Sequence, residues 1–310
     1  MRITFLGTSS GVPTRSRNVS CVAFRPPQRA EVWLFDCGEG TQHQLLRSEL
    51  NLSQVTRILI THMHGDHVLG LMGLLATCGM TAHTRGIQVY GPRPIADYVR
   101  EVSRRTQFQT NYPLEVHEVS AGLVFDDKEY TITCAPLKHR LTAYGYRVTE
   151  KDRPGHFDAE RAKQLGIPSG PLYGRLKRGE RVTLPDGRTF DGADFSGPAL
   201  RGRSFVYCTD TTYCRSSVEL ARDADLLIHE ATFAQVDEAL AVRATHSTAA
   251  MAARVAQEAG VRRLLMTHFS PRYFPGNQTE PDDLLREARA VFPATEMAHD
   301  FLSVDVPRRE

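Results

Sequence analysis

The chain has 310 residues, of which 38 are basic and 36 acidic, for a formal net charge of +2, and 41% are hydrophobic. That is the composition of a globular protein with a sizeable core, and no apolar run is long enough to span a membrane. Overall charge argues neither for nor against nucleic acid, so only a local basic patch could argue for it. Met1-Arg2 leads straight into an apolar strand, so no signal peptide is expected. Six cysteines at 21, 37, 78, 134, 208 and 214 include no C-x-x-C pair, which points to reduced thiols in a cytoplasmic protein.

Ile3 to Leu6 reads as a first strand, followed by a turn-rich loop through Pro13. The loop continues as Thr14-Arg15-Ser16-Arg17-Asn18, two cations and an amide on flexible backbone. It suits phosphate contacts, but an exposed basic loop is more often merely solvated. Val32 to Phe35 is a second apolar run that ends on Asp36-Cys37-Gly38-Glu39-Gly40. Asp36 fits two roles, orienting a ligand histidine through its second nitrogen or capping the helix that begins near Gln44.

Arg57 to Ile60 is a buried strand that hands over to Thr61-His62-Met63-His64-Gly65-Asp66-His67. Three imidazoles and a carboxylate within six positions supply the ligands zinc accepts, in numbers sufficient for two ions. Alternation along extended backbone puts His62 and His64 on one side, with Asp66 and His67 after the bend at Gly65. Val68 to Leu75 reads as a buried helix, Ile87 to Tyr90 as a strand and Ile95 to Ser103 as a helix.

The same handover then recurs. Tyr130 to Pro136 is a strand with His139 after it, Ser204 to Thr209 a strand before Asp210, Leu226 to Ile228 a strand before His229-Glu230, and Leu264 to Thr267 a strand before His268. In α/β architectures ligand groups gather at the carboxyl ends of strands, so these residues can meet at one edge. Between Thr149 and Arg203 the rhythm stops. Basic residues including Arg175, Lys177 and Arg178 alternate there with Gly, Pro and Tyr173, a pattern that fits either a solvated insertion or a surface that follows a phosphate backbone. Ala249 to Ala259 is a helix capped by Ser247 or Thr248, and Glu280 to Val291 is another.

These motifs carry a resemblance. His62-Met63-His64-Gly65-Asp66-His67 matches the HxHxDH signature of the metallo-β-lactamase fold. Pro13, Arg17 and Asn18 match the PxKxRN loop of the ribonuclease Z family, with Arg15 in place of its lysine. His229-Glu230-Ala231-Thr232 resembles the family's HEAT loop and His246-Ser247-Thr248 its HST element, while Arg272-Tyr273 after His268 also fits. The resemblance implies an α/β fold, an αββα metallo-β-lactamase sandwich forming a single domain over residues 1–310, with a basic flexible arm inserted at 150–202 that grips tRNA.

It further implies a zinc-dependent endoribonuclease that removes the 3′ trailer from precursor tRNA and acts as a homodimer. Two Zn2+ are expected per subunit, in a site that manganese or iron also fits. The first ion takes His62, His64 and His139, the second Asp66, His67 and His268, and Asp210 bridges them. Hydroxide held between the metals is the nucleophile, with Asp66 the family's proton acceptor. Glu230 with His246 protonates the departing 3′-oxygen, which requires a raised pKa on Glu230. Arg15, Arg17, Asn18, Arg175, Lys177, Arg178 and Arg272 are the expected RNA contacts. The alternative is a metallo-β-lactamase-fold phosphodiesterase or esterase acting on a small molecule.

Overall fold

The computed structural model describes residues 1–27, 29–81 and 85–308. Two seven-stranded sheets form its frame. In chain numbering, one sheet holds Arg2–Gly7, Cys21–Arg25, Val32–Phe35, Val55–Leu59, Ile87–Gly91 and Leu114–Glu118, with Ser303–Asp305 returning from the C-terminus to its edge. The other runs in spatial order Thr295–Met297, Leu264–Thr267, Leu226–Glu230, Ser204–Cys208, Tyr144–Glu150, Tyr130–Pro136 and Gly122–Asp126.

Alternation decides the layering. In Val32–Phe35, Trp33 and Phe35 join a cluster that also contains Tyr130, Tyr146, Phe205 and Tyr207 of the other sheet, so this cluster is the seam between the sheets. Leu34 faces the opposite way, into a second cluster with Leu71, Leu74, Leu75 and Ile95 of the helices Leu71–Met80 and Ile95–Thr106. A third cluster joins Val206, Leu227 and Leu264 to the helices Ala249–Ala259 and Pro281–Val291. The result is helix, sheet, sheet, helix, and central strands such as Val32–Phe35, Ser204–Cys208 and Leu264–Thr267 are buried on both faces. Edge-on aromatic pairs such as Phe24–Trp33, 5.3 Å between centroids, and Phe35–Phe205, 5.4 Å, fill the seam.

The helix expected from Val68 to Leu75 is interrupted. A short turn of helix, Gly65–Val68, stops before Gly70, and Leu71–Met80 starts afresh. The reason is backbone contact: a Cβ on Gly70 would lie 2.0 Å from the Gly38 carbonyl oxygen, and one on Gly38 would lie 2.2 Å from that of Asp66. The two glycines let the Asp36 loop press against the ligand loop. The helix Ala249–Ala259 opens on Thr248, whose side chain accepts from Met251 N–H at 3.2 Å.

Residues 150–203, with Arg308, form a second compact unit. It contains two short helices, Ala159–Gln164 and Pro171–Lys177, and the hairpin Val182–Thr183 with Thr189–Phe190. Gly and Pro keep it from being one continuous helix, and Phe157, Ala162, Ile167, Leu176, Val182, Leu184 and Phe195 give it a core of its own. Buried Glu150 accepts from Arg203 Nε at 2.8 Å, joining the first and last residues of the insertion.

Candidate metal centre

Each strand carrying a candidate ligand ends at the same rim. Its backbone there is unusual: Asp36, Asp210 and His268 have φ of 60°, 47° and 60°. Side chains other than glycine rarely occupy this left-handed region, and such strain concentrates where a fold must aim a functional group. Here it turns the exits of Val32–Phe35, Ser204–Cys208 and Leu264–Thr267 sharply inward.

The inward groups form two sets. His62 Nε2 lies 3.0 Å from His64 Nδ1, which lies 3.2 Å from His139 Nε2. His67 Nε2 lies 3.3 Å from His268 Nε2, and Asp66 Oδ2 is 3.3 and 3.4 Å from those two nitrogens. Asp210 stands between the sets. Its Oδ2 is 3.4 Å from His62 Nε2, while its Oδ1 is 3.1 Å from His67 Nε2 and 3.0 Å from His268 Nε2. One oxygen per set is the arrangement a bridging carboxylate needs.

The donors fit metal ions. Ligand atoms at the corners of a zinc tetrahedron with Zn–N of about 2.0–2.1 Å are ~3.3 Å apart, close to the separations within each set. The outward nitrogens are fixed as metal-binding histidines require. His67 Nδ1 donates to Asp36 Oδ2 at 2.8 Å, and His139 Nδ1 to the Thr245 carbonyl at 3.1 Å. His62 Nδ1 donates to Thr61 Oγ1 at 3.0 Å, and that hydroxyl donates to Asp36 at 2.9 Å. His268 Nδ1 donates to Thr232 Oγ1 at 2.9 Å, and that hydroxyl donates to Glu230 Oε2 at 2.5 Å. His64 is the exception, turning Nδ1 inward.

Asp36 and Glu230 therefore play matched parts from opposite sheets. Each is fully buried, each takes one imidazole through a threonine hydroxyl, and each takes a second directly: His67 on Asp36 and His246 on Glu230, both at 2.8 Å. Of the two roles open to Asp36, the structure assigns histidine orientation, because the helix Thr41–Arg47 begins at Gly40 without a side-chain cap. Tyr207 also donates to Asp36, at 3.0 Å.

Titration follows from this crowding. Burial and the neighbouring charges of His62 and His139 push His64 down to about 4. Burial opposes charge on Asp66 and Asp210, but the surrounding imidazoles outweigh it and both carboxyls stay below the usual range. Glu230 differs from the expectation of a raised pKa. Burial does push it up, yet the charge and hydrogen bond of His246 win and the group lies below its ordinary value. Thr211, Thr232 and Ser247 N–H groups, at 2.7, 3.2 and 3.1 Å, also donate to it. His246 moves the other way, to about 9, because Glu230 more than offsets the cost of burial. The proton resides on His246.

Other expected site residues are placed differently. Arg17 Nη1 donates to Thr8 Oγ1 and the Ala298 carbonyl, both at 2.7 Å, and its guanidinium lies 4.8 Å from the Phe269 ring centre. Asn18 Nδ2 donates to the Glu39 carbonyl at 2.8 Å. Both brace the loop through these bonds. Arg15 makes no hydrogen bond among the described residues and lines a cavity of about 420 Å3 with Phe269, Tyr273 and Phe274. Arg272 pairs with Asp237 at 3.5 Å. In the inserted unit, Arg175 and Arg178 share Glu180 at 3.0 and 2.7 Å, and Lys177 Nζ lies 5.5 Å from the Phe157 ring centre. His229, beside Glu230 in sequence, turns away from the ligands, its Nδ1 2.7 Å from the Glu230 carbonyl. A role for Arg140 escaped notice in the sequence; its Nη2 sits 3.3 Å from His64 Nε2, and its position next to His139 was the available signal.

Residues 32–157 and 177–269 match the family model described as the beta-lactamase superfamily domain. The ribonuclease Z of Acaryochloris marina is 62% identical over 100% of this chain and 98% of its own length. That of Trichodesmium erythraeum is also 62% identical, over 99% of this chain and 96% of its own. The chain belongs to the ribonuclease Z family. The crystal structure of the short form of human tRNase Z superposes with a TM-score of 0.72 at 29% identity, over 99% of this chain and 100% of that one. This ribonuclease Z family member thus has the metallo-β-lactamase fold with a site for divalent metal. Among its described residues no helix is long and apolar enough to cross a membrane.

Proposed function

We propose that this protein is an endoribonuclease that cuts precursor tRNA at the base of its 3′ trailer, leaving a 3′-hydroxyl on the tRNA. The observation that carries the reading is the pairing of the two ligand sets with a second, buried acid–base pair, His246 on Glu230 at 2.8 Å. Two Zn2+ would be held by His62, His64 and His139 and by Asp66, His67 and His268, with Asp210 between. When bound they supply an activated water at neutral pH and positive charge for the phosphoryl oxygens.

The chain's own groups do the rest. Asp66 uses Oδ2 toward His67 and His268, and the Gly11 N–H donates to that oxygen at 2.8 Å. Oδ1 has no donor among the described residues, so it is the atom that orients the attacking water. As an imidazolium, His246 donates Nδ1–H to Glu230 at 2.8 Å and carries its other proton on Nε2, 3.9 Å from Asp210. Nε2–H donates to the departing 3′-oxygen, while ionised Glu230 stabilises the imidazolium. Glu230 is thus a positioning residue in this scheme. Arg140 is placed to meet a non-bridging phosphoryl oxygen.

Arg15 and the cavity beside Phe269 receive the acceptor end of the tRNA, and the inserted unit at 150–202 is an exosite for its body. A homodimer working in the cytoplasm completes the proposal; sedimentation tests the first and fractionation the second. The deciding experiment incubates the zinc-loaded protein with a 3′-extended precursor tRNA and maps the ends. A single cut after the acceptor stem with a 5′-phosphate on the trailer is expected. Hydrolysis of small diesters without any cut in the RNA would defeat the reading.

A further inference from the structure

A cavity of about 420 Å3 lies around the N-terminal end of the strand Arg2–Gly7. The metal ligands adjoin the other end of that strand, where Ser9 bridges to Phe269 and Gly11 reaches Asp66. Five residue steps at ~3.3 Å put roughly 17 Å between the two ends of the strand. Nothing in the chemistry above uses this cavity.

Three guanidiniums line it, those of Arg2, Arg25 and Arg47, against one lining carboxylate, Glu49. Arg2 and Arg25 are direct partners across antiparallel strands. Like charges so opposed destabilise a sheet. Little on the protein relieves them. Arg2 reaches Glu49 only at 3.8 Å, and the side chains are 47% and 84% exposed, so water screens the pair. Asp305, the cross-strand partner of Arg2 on its other side, makes no ion pair among the described residues. Arg25 makes no side-chain hydrogen bond or ion pair among the described residues, and Arg47 gives one hydrogen bond, to Gln44 Oε1 at 3.1 Å.

A second observation points to a ligand. Phe301 has φ 67°, a conformation that a bulky side chain seldom takes. Its N–H donates to the Phe5 carbonyl at 2.7 Å, which holds the backbone in place. The strain sets its ring on the cavity wall, 5.2 Å from the Arg47 guanidinium. On the same wall the Thr4 and Ser303 hydroxyls lie 2.8 Å apart, so one donates to the other and the second keeps its proton for a ligand.

We propose that this cavity binds a phosphate group, held by Arg25 and Arg47, with Phe301 against the attached nucleoside. Guanidinium forks match phosphate oxygens, and the volume falls within the range of small-ligand pockets. The ligand is either a backbone phosphate of bound RNA, which rests on the function proposed above, or a free nucleotide. The distance from the metal ligands means it is not the scissile phosphate.

Phenylglyoxal labelling read by peptide mass spectrometry follows each arginine separately, so anion binding at the metal centre does not confuse it. AMP or 3′-extended precursor tRNA should slow labelling of Arg25 and Arg47 at least fivefold relative to exposed Arg100. In the double variant Arg25→Gln/Arg47→Gln, the Tm should be no lower than wild type, because the repulsion from Arg2 is relieved. If the source is RNA, the slope of log affinity against log salt flattens by about 0.7 to 0.9, one phosphate contact. Protection by AMP with an unchanged RNA slope identifies a free nucleotide instead, and still upholds the site. A folded protein in which neither AMP, inorganic phosphate nor RNA protects Arg25 overturns it. Because protection does not depend on cleavage, failure to cut precursor tRNA would count against the proposed function and leave this result readable.

Discussion

At the scale of single residues, the centre depends on two buried carboxylates that touch no substrate. Asp36 takes His67 directly and His62 through Thr61, so it fixes one ligand in each metal set. Asp36→Ala should weaken metal binding about 10–100-fold, measured by competition with a chromogenic chelator. Unaltered affinity in a folded variant would show that the imidazoles orient themselves. His246 makes a different claim. If it is the proton donor to a 3′-alkoxide, as proposed, it should be worth about 10²–10⁴ in rate on RNA. It is worth little on a bis-nitrophenyl diester, whose leaving group departs as a stable phenolate. His246→Ala should therefore show a large loss on precursor tRNA and a small one on the nitrophenyl compound. Equal losses would make the residue structural. Glu230→Gln should follow the same pattern, because the neutral amide no longer holds the proton on His246.

The inserted unit sets the questions at the scale of elements. Its eleven cations face eight carboxylates over residues 150–203, and two of the expected RNA contacts are already engaged: Glu180 accepts from both Arg175 and Arg178. RNA binding through these two arginines, as proposed, would have to displace that carboxylate. Glu180→Gln should thus tighten precursor tRNA binding by about two- to fivefold, the scale of an exposed ion pair, with a steeper dependence on salt. Charge removal is a cleaner probe of the unit than excision, since cutting out its helices would expose Val182, Leu184 and Phe195. Arg175→Gln, Lys177→Gln and Arg178→Gln together should lower the salt slope by up to roughly 2 to 3, in a filter-binding series over ionic strength. A nitrophenyl diester is too small to notice. If the triple variant binds RNA with an unchanged slope, the unit contributes no charge contacts.

For the whole molecule, the ligands come from both sheets: His62, His64, Asp66 and His67 follow the strand Val55–Leu59, while His139, Asp210 and His268 follow strands of the other sheet. A bound metal therefore ties the two sheets together. Ligand saturating at a thousandfold above its Kd stabilises a fold by about 4 kcal/mol, so chelation should lower the Tm, and added Zn2+ should restore it. Asp210→Ala removes the one side chain shared by both sets. We expect it to lower the metal content per subunit by mass spectrometry below that of either single-set variant, His64→Ala or His268→Ala.

What the chain revealed on its own was the inventory of ligands and the architecture that gathers them. Strands and their exits are encoded by short-range alternation and by glycine, so a histidine or aspartate just beyond an apolar run is legible without coordinates. The motifs around them were dense enough to suggest the family. Decisions that rest on partners far away in sequence were not legible. Arg17 read as a phosphate contact, and only the fold shows its guanidinium donating to a carbonyl 281 residues on. Glu230 looked like an acid, but donors from Thr211, Thr232, His246 and Ser247 keep it ionised. Glycine and proline in the insertion hid a core, because its seven buried residues are spaced without a helical or strand period. Only the folded chain decides such matters, since a charge state and a hydrogen-bond partner are set by what surrounds a group in space, and sequence spacing records only what lies beside it along the backbone.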